Sequence, residues 1–241
     1  MLLDILLYVL YGFGVAQFAT LLTTVYLHRS STHKAVEFHP AVQFFFQLGL
    51  WIMTGINRNQ WVAVHLCHHA HTDVEGDPHS PVMLSFLKVQ MANPILYRRA
   101  ARDPKVMELY GDRVSLSWAE RNIFASKYVG FLGTSVGIVI ACLIFGWWQG
   151  LVLSLSHMLF YLQLNGLVNS YCHMWGYKNF PNDHAFNSFL IAPITAGEGY
   201  HNNHHHMPGS ARLGMKWYEV DLGWIFIRVL QQFGLTEKSQ K

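Results

Sequence analysis

ILLYVLYGFGVAQFATLLTTVYLHRSSTH, residues 5–33, opens with almost unbroken apolar character and closes on two histidines five apart. Ile5 to Leu27 is long enough, at about 1.5 Å per residue, to cross a ~30 Å hydrocarbon layer once, and it delivers His28 to one membrane face. Two further histidine groups follow, HLCHH at 65–69 and HNNHH at 201–205, each close to another apolar segment. Neutral imidazole is a first-row transition-metal ligand, and eight such side chains exceed what one tetrahedral zinc uses. A two-metal site at a membrane surface is therefore the economical reading; scattered or core-satisfied histidines are the bland one.

Composition supports the membrane half of this reading. The 241 residues are 51% hydrophobic and only 13% charged, against roughly a quarter charged in a soluble domain. One membrane-embedded domain, 1–241, fits the length, with no room for an appended soluble module. Cys67, Cys142 and Cys172 form no CxxC pair, which argues against a disulfide framework or zinc ribbon, and Cys67 and Cys172 read as buried reduced thiols. No basic n-region or small-residue cleavage site marks the first apolar stretch as a removed signal peptide.

Val129 to Trp148 and Gly150 to Tyr171 read as a second and third span, separated by the turn Gly146-Trp147-Trp148-Gln149-Gly150 with its interfacial tryptophans. Ala41 to Ile56 is also apolar. A full crossing there would put His28/His33 and His65/His68/His69 on opposite sides, so it reads as an interfacial, re-entrant or buried helix. All 17 Lys and Arg fall outside 1–27 and 128–173, nine of them between Arg58 and Lys127. By the positive-inside bias every histidine group then faces the cytoplasm and the N-terminus lies outside. The formal charge of +3 accompanies no basic-aromatic stripe suited to nucleic acid, and a surface apposed to anionic headgroups is the simpler reading. The expected fold is thus an all-α membrane protein with about three transmembrane helices, an interfacial or re-entrant segment, and a cytosolic helical cap carrying a di-metal site.

In HLCHH and HNNHH the offsets of three and four align the imidazoles along one side of a helix. His28 and His33, five apart, would point about 140° away from each other on one α-helix, so the helix is expected to end near Arg29 to Ser31 and let His33 turn back. Asn165, Asn169 and His173 step by four along the third span. Polar groups at that depth point inward, making His173 a ninth ligand candidate and Asn169 a candidate acting through a bound water.

With these residues together, the chain resembles the membrane fatty acyl desaturases with three histidine boxes, in particular their delta-9 or stearoyl-CoA desaturase-like branch, in a short bacterial-type form. HRSSTH is similar to the HxxxxH box, HLCHHAHTD to the HxxHH box, NSYCH to the NxxxH element, and GEGYHNNHHHMPGSARLG to the third box and the segment after it. The resemblance covers most of the chain. It implies one iron held by His28, His33, His65, His69 and His204, and another by His68, His173, His201 and His205, with Asn169 contributing through water. It also implies O₂ as co-substrate, an acyl chain on CoA, acyl-carrier protein or phospholipid, a separate ferredoxin-like or cytochrome b5-like electron donor, and a place in the bacterial inner membrane. The second box departs from the branch pattern HRxHH, since Leu66 stands at the arginine position.

Other residues carry two readings each. Asp73, Asp77 and Glu198 are either acceptors for the far ring N–H of ligating histidines or plain loop carboxylates. Gly12, Gly14 and Ala16 either line the far end of an acyl tunnel, to which Trp61 also belongs, or serve helix packing. Arg98, Arg99, Arg102 and Lys105 either meet an acidic partner or headgroup or simply follow the positive-inside bias. His39, His71, His79, His157, His184 and His206 are assigned no ligand role. Competing functions are a hydroxylase or other oxygenase on the same ligands and, further off, a non-enzymatic membrane metal-binding protein.

Overall fold

A computed structural model describes residues 2–124 and 129–239; Lys127, among the loop cations counted above, lies outside them. Helix α1 (Leu2–Leu22) buries Gly12, Ala16, Ala19, Thr20 and Leu22 and turns Leu2, Leu3, Leu6, Leu10 and Phe18 outward. It does not end at Arg29 to Ser31. The coil widens into a π-helix over Thr23–Thr32, closed by the His33 N–H donating to the His28 carbonyl at 3.1 Å and by the Thr32 hydroxyl donating to Leu27 O at 2.8 Å. Bonds from i to i+5 stack residues five apart on one another, so His28 and His33 share a face without a chain reversal.

Strand β1 (Val36–Phe38) leads into α2 (Pro40–Thr54), which starts with Pro at its first turn and stops at Gly55. Gly55 has φ 64° and its backbone presses on Gly130, a conformation and a contact that leave no room for a Cβ. At 15 residues α2 extends about 22 Å, short of a ~30 Å crossing. It lies across the other apolar helices, with Met53 packed beside Ala16, Ala19 and Tyr161. Asn57 then caps α3 (Arg58–Ala70), followed by α4 (Pro81–Leu84), α5 (Phe86–Ala100) and α6 (Pro104–Tyr110).

The apolar hairpin comprises α7 (Val129–Phe145) and α8 (Trp147–Ser170). Its turn is tighter than the sequence suggests, because Gly146 at φ 98° reverses the chain alone and Trp147 to Gly150 form the first turn of α8. Leu2–Thr32 and Trp147–His173 are long and apolar enough to cross a membrane; α7, expected as another span, has 17 residues. After a 3₁₀ turn at Tyr171–His173 come α9 (Ile191–Ile194), α10 (His201–His206) and α11 (Leu222–Gln232). Strand β2 (Thr236–Ser239) pairs antiparallel with β1, Val36 opposite Ser239 and Phe38 opposite Thr236, a small ribbon that an all-helical expectation omits.

The principal core joins the end of the first helix to the C-terminal part of the chain: Val25, Tyr26 and Leu27 pack with Phe38, Phe46 and Ile227. Beside it Arg29, only 1% exposed, donates from Nη2 to Asp221 at 2.9 Å, and Asp221 also caps α11 through Trp224 N–H. Asp221→Ala would leave that guanidinium buried and unpaired, and it is expected to destabilise the fold by about 3–5 kcal/mol, read as a lowered thermal unfolding midpoint in detergent.

Candidate metal centre

Four elements converge on one end of the helical hairpin. The π-segment brings His28 and His33, α3 brings His65, His68 and His69, the 3₁₀ turn after α8 brings His173, and α10 brings His201, His204 and His205. Their ring nitrogens fall into two groups, His28, His33, His65, His69 and His204, and His68, His173, His201 and His205, each spanning no more than 4.8 Å. Within one helix the three- and four-residue offsets split the rings. His65 and His69 face the first group and His68 the second, while His204 faces the first and His201 and His205 the second. This division is the one the resemblance implies.

In the first group Nε2 atoms lie 3.0 Å apart for His28–His204, 2.9 Å for His204–His69, 3.1 Å for His69–His65 and 3.1 Å for His65–His33. In the second, His201 lies 3.1 Å from His173 and 3.2 Å from His205. One Nε2 carries a single proton or a single lone pair, so it cannot satisfy two such neighbours by hydrogen bonding. Imidazole nitrogens about 2.0–2.1 Å from a shared cation and at right angles would be about 3 Å apart. The donor set therefore fits two transition-metal ions.

The far side of three rings is fixed by carboxylates. His28 Nδ1 meets Glu198 at 2.6 Å, His68 Nδ1 meets Asp77 at 3.0 Å and His173 Nδ1 meets Asp73 at 2.9 Å. Such a bond puts the proton on Nδ1 and leaves the Nε2 lone pair facing inward. The carboxylates are themselves held: Glu198 accepts from the Thr24 hydroxyl, Asp77 from the backbone N–H of Asp73 and His79, and Asp73 from Ser80 Oγ. Burial would raise all three carboxyl pKa values; the attraction and hydrogen bonds of His28, His68 and His173 outweigh it and hold Glu198, Asp77 and Asp73 below the ordinary range. Burial first, and crowding by neighbouring imidazoles second, drive His33, His65, His69, His201, His204 and His205 well below the usual histidine value, so the rings are neutral and available as ligands.

Asn169 is half-buried on α8, one turn before His173. Of the remaining histidines, His79 is stacked on His68 at 4.7 Å, with burial the main force pushing its pKa down to about 3. His39 caps α2, His71 closes α3, His157 Nε2 bonds Met53 O, His206 pairs with Asp183, and His184 is exposed. Cys67 and Cys172 are free and buried. Trp61 lies flat on His65 at 4.8 Å and 15°. Gly12 and Ala16 are packing positions: Gly12 abuts Leu153, Ser156 and His157 of α8, and Ala16 is fully enclosed beside Ala19 and Tyr161. A cavity of about 630 Å³ between α1, α2, α7 and α8 is instead lined by Gly14, Val15, Met53 and Gly137 among others.

The pattern reading overlooked Asn202 and Asn203 inside the third box. Asn202 Oδ1 accepts from the N–H of Asn179 and Phe180, while its Nδ2 donates to Phe180 O and Ala185 O. Asn203 joins Asn179, Asn187, Leu213 and Glu219. These saturated amides clamp α10, a short helix that packing alone would not orient. Two amide residues between ligand candidates were the available signal.

With this geometry in place, the comparison with known proteins is direct. A sequence profile for fatty acid desaturases matches residues 4–228. The chain belongs to the fatty acid desaturase family. It is 30% identical to an acyl-CoA C20 Delta5-desaturase of Anemone leveillei, over 89% of this chain and 67% of that protein. It is 29% identical to Delta-9 acyl-lipid desaturase 1 of Arabidopsis thaliana, over 88% and 68%, and 30% identical to sn-1 stearoyl-lipid 9-desaturase of Anabaena variabilis, over 88% and 76%. As a desaturase it is an oxidoreductase of lipid metabolism, and its apolar helices and histidine clusters suit a membrane protein with a metal site.

Asp77→Asn is expected to weaken metal retention about 10–100-fold, measured by metal analysis after dialysis against graded chelator. The buried histidines should make no pH-dependent contribution to the stability of the metal-free protein above about pH 6.5, the ordinary histidine value. Below it the unfolded chain takes up protons that the buried rings refuse, so the thermal midpoint should fall with pH.

Proposed function

We propose that this chain is an O₂-dependent fatty acyl desaturase of delta-9-like regiochemistry, with one iron in each histidine cluster. The observation that carries the reading is the convergence of nine imidazoles on two points, in a chain of the desaturase family. Iron fits better than zinc because removing hydrogen from an unactivated methylene requires a redox-active metal. Bound there, the metals would activate O₂ to take one hydrogen from each of two adjacent methylenes. With two further electrons and two protons the products are a C=C bond and two waters.

The chain's own residues prepare that reaction. His28, His33, His65, His69 and His204 would hold one ion, and His68, His173, His201 and His205 the other, with Asn169 reaching the second through water. Glu198, Asp77 and Asp73 orient His28, His68 and His173 and keep their protons on Nδ1. Burial of His28, His68, His173, His201 and His204 excludes bulk water from the inner nitrogens. Trp61, flat against His65, offers an apolar wall beside the five-histidine group, where an acyl chain would be positioned. The chain would be carried on CoA, acyl-carrier protein or a glycerolipid, and the electrons would come from a separate ferredoxin-like or cytochrome b5-like donor. We place the chain in a bacterial inner membrane, and the absence of Lys and Arg from 1–27 and 128–173 supports a metal centre on the cytoplasmic side with the N-terminus outside.

Expression in a host that makes no unsaturated fatty acids, with iron and a compatible reductase supplied, should yield a new monoene whose position fixes the regiochemistry. His68→Ala and His204→Ala should each abolish it while the protein still accumulates in the membrane. Under ¹⁸O₂ the lipid product should carry no label; a labelled hydroxyl in the lipid would make the enzyme a hydroxylase.

A further inference from the structure

Three of the five exposed residues of α11 are apolar, the other two being Arg228 and Gln232. Leu222, Ile225 and Val229 face outward on it, with Phe233 just beyond at 74% exposure and Trp217 just before at 90%. The opposite side is fixed: Ile227 is buried among Val25, Tyr26 and Leu27, and Phe226 packs on Phe46 of α2. Those anchors set the depth of the helix. The 21 residues of α1 rise about 31 Å, the thickness of the hydrocarbon layer, so Val25 to Leu27 lie where the first span leaves that layer. An element packed on them sits at the level of the headgroups.

Charge points the same way. Arg212, Lys216 and Arg228 are exposed near α11, while Glu219 and Asp221 are buried and bonded inward to Asn203 and Arg29, which leaves Glu237 of β2 as the exposed carboxylate just beyond Phe233. A helix with one apolar side, basic borders and flanking aromatics is the kind that lies in a membrane interface.

We propose that α11, with Trp217 and Phe233, is a membrane-surface contact that lies in the headgroup layer of the bilayer entered by α1 and α8 and takes anionic lipid along its basic border. The contact reaches the metal centre through few steps. Asp221 caps α11 and pairs with Arg29, the neighbour of His28, and the Gly223 N–H donates to Ala196 O, two residues before Glu198. Bilayer attachment of α11 thus holds the outer wall of the five-histidine group.

The test is spin-label accessibility on full-length protein in vesicles of phosphatidylcholine and phosphatidylglycerol. Ile225→Cys and Val229→Cys are labelled in a Cys142→Ala background, with Leu159→Cys on the outward side of α8 as the lipid reference and Asp112→Cys as the water reference. Labels at 225 and 229 should collide more often with O₂ than with a water-soluble nickel chelate, at a depth of about 5–10 Å. Collision ratios equal to that at 112 would overturn the proposal. So would labels that are open to the chelate and become shielded only when a soluble ferredoxin is added, since the face would then belong to a protein partner. The readout requires neither iron nor turnover, so it stands or falls separately from the desaturase reading.

Discussion

Nitrogen lone pairs about 3 Å apart repel one another, and the rest of the chain is organised to keep eight imidazoles in that relation, with His68 beside them. Nothing within either cluster holds it together without a cation. The restraint comes from outside: carboxylates on Nδ1 of three rings, helical backbone behind six, and an amide network behind α10. Preorganisation of this sort moves the ordering of the ligands into folding, so that metal binding need not supply it.

The division of labour between the carboxylates is uneven. Asp73 and Asp77 both serve the four-histidine group, whereas Glu198 alone serves the five-histidine group and has the guanidinium of Arg29 nearby. Fewer imidazoles accompany more carboxylates at one site, and more imidazoles accompany fewer at the other. The two positions are electrostatically inequivalent before any ion arrives, although the ligands are chemically alike.

Much of this was legible in the sequence because histidine spacing and helical period are both local. The offsets in His65/His68/His69 and His201/His204/His205 survive intact, whereas His173 lies in the 3₁₀ turn beyond α8 and not on the helical period that Asn165 and Asn169 follow. His28 and His33 were harder, because the i to i+5 coil depends on how Thr23 to Thr32 packs against Asp221 and Ile227, far along the chain. The roles of Gly12 and Ala16 turned on helix rotation: small residues signal a close approach, but only the packing of α1 on α8 decides which of them meets a neighbour and which, like Gly14, faces a cavity. Asp73, Asp77 and Glu198 were nameable by proximity alone, while the amides of Asn202 and Asn203 find their partners across loops that no periodicity describes.

The π-segment and α10 supply neighbouring nitrogens, His28 and His204, that are separated by 176 positions in the chain, and the ribbon of β1 with β2 ties residues 36–38 to residues 236–239. During synthesis the first span and the second box therefore emerge as open half-shells, with Asp73 waiting for His173 and the π-segment waiting for Glu198 and Asp221. Neither cluster closes until residues 201–205 have been made. Maturation of the centre thus waits for α10, and a polypeptide truncated or stalled before it exposes ligands in the membrane without being able to retain a metal pair.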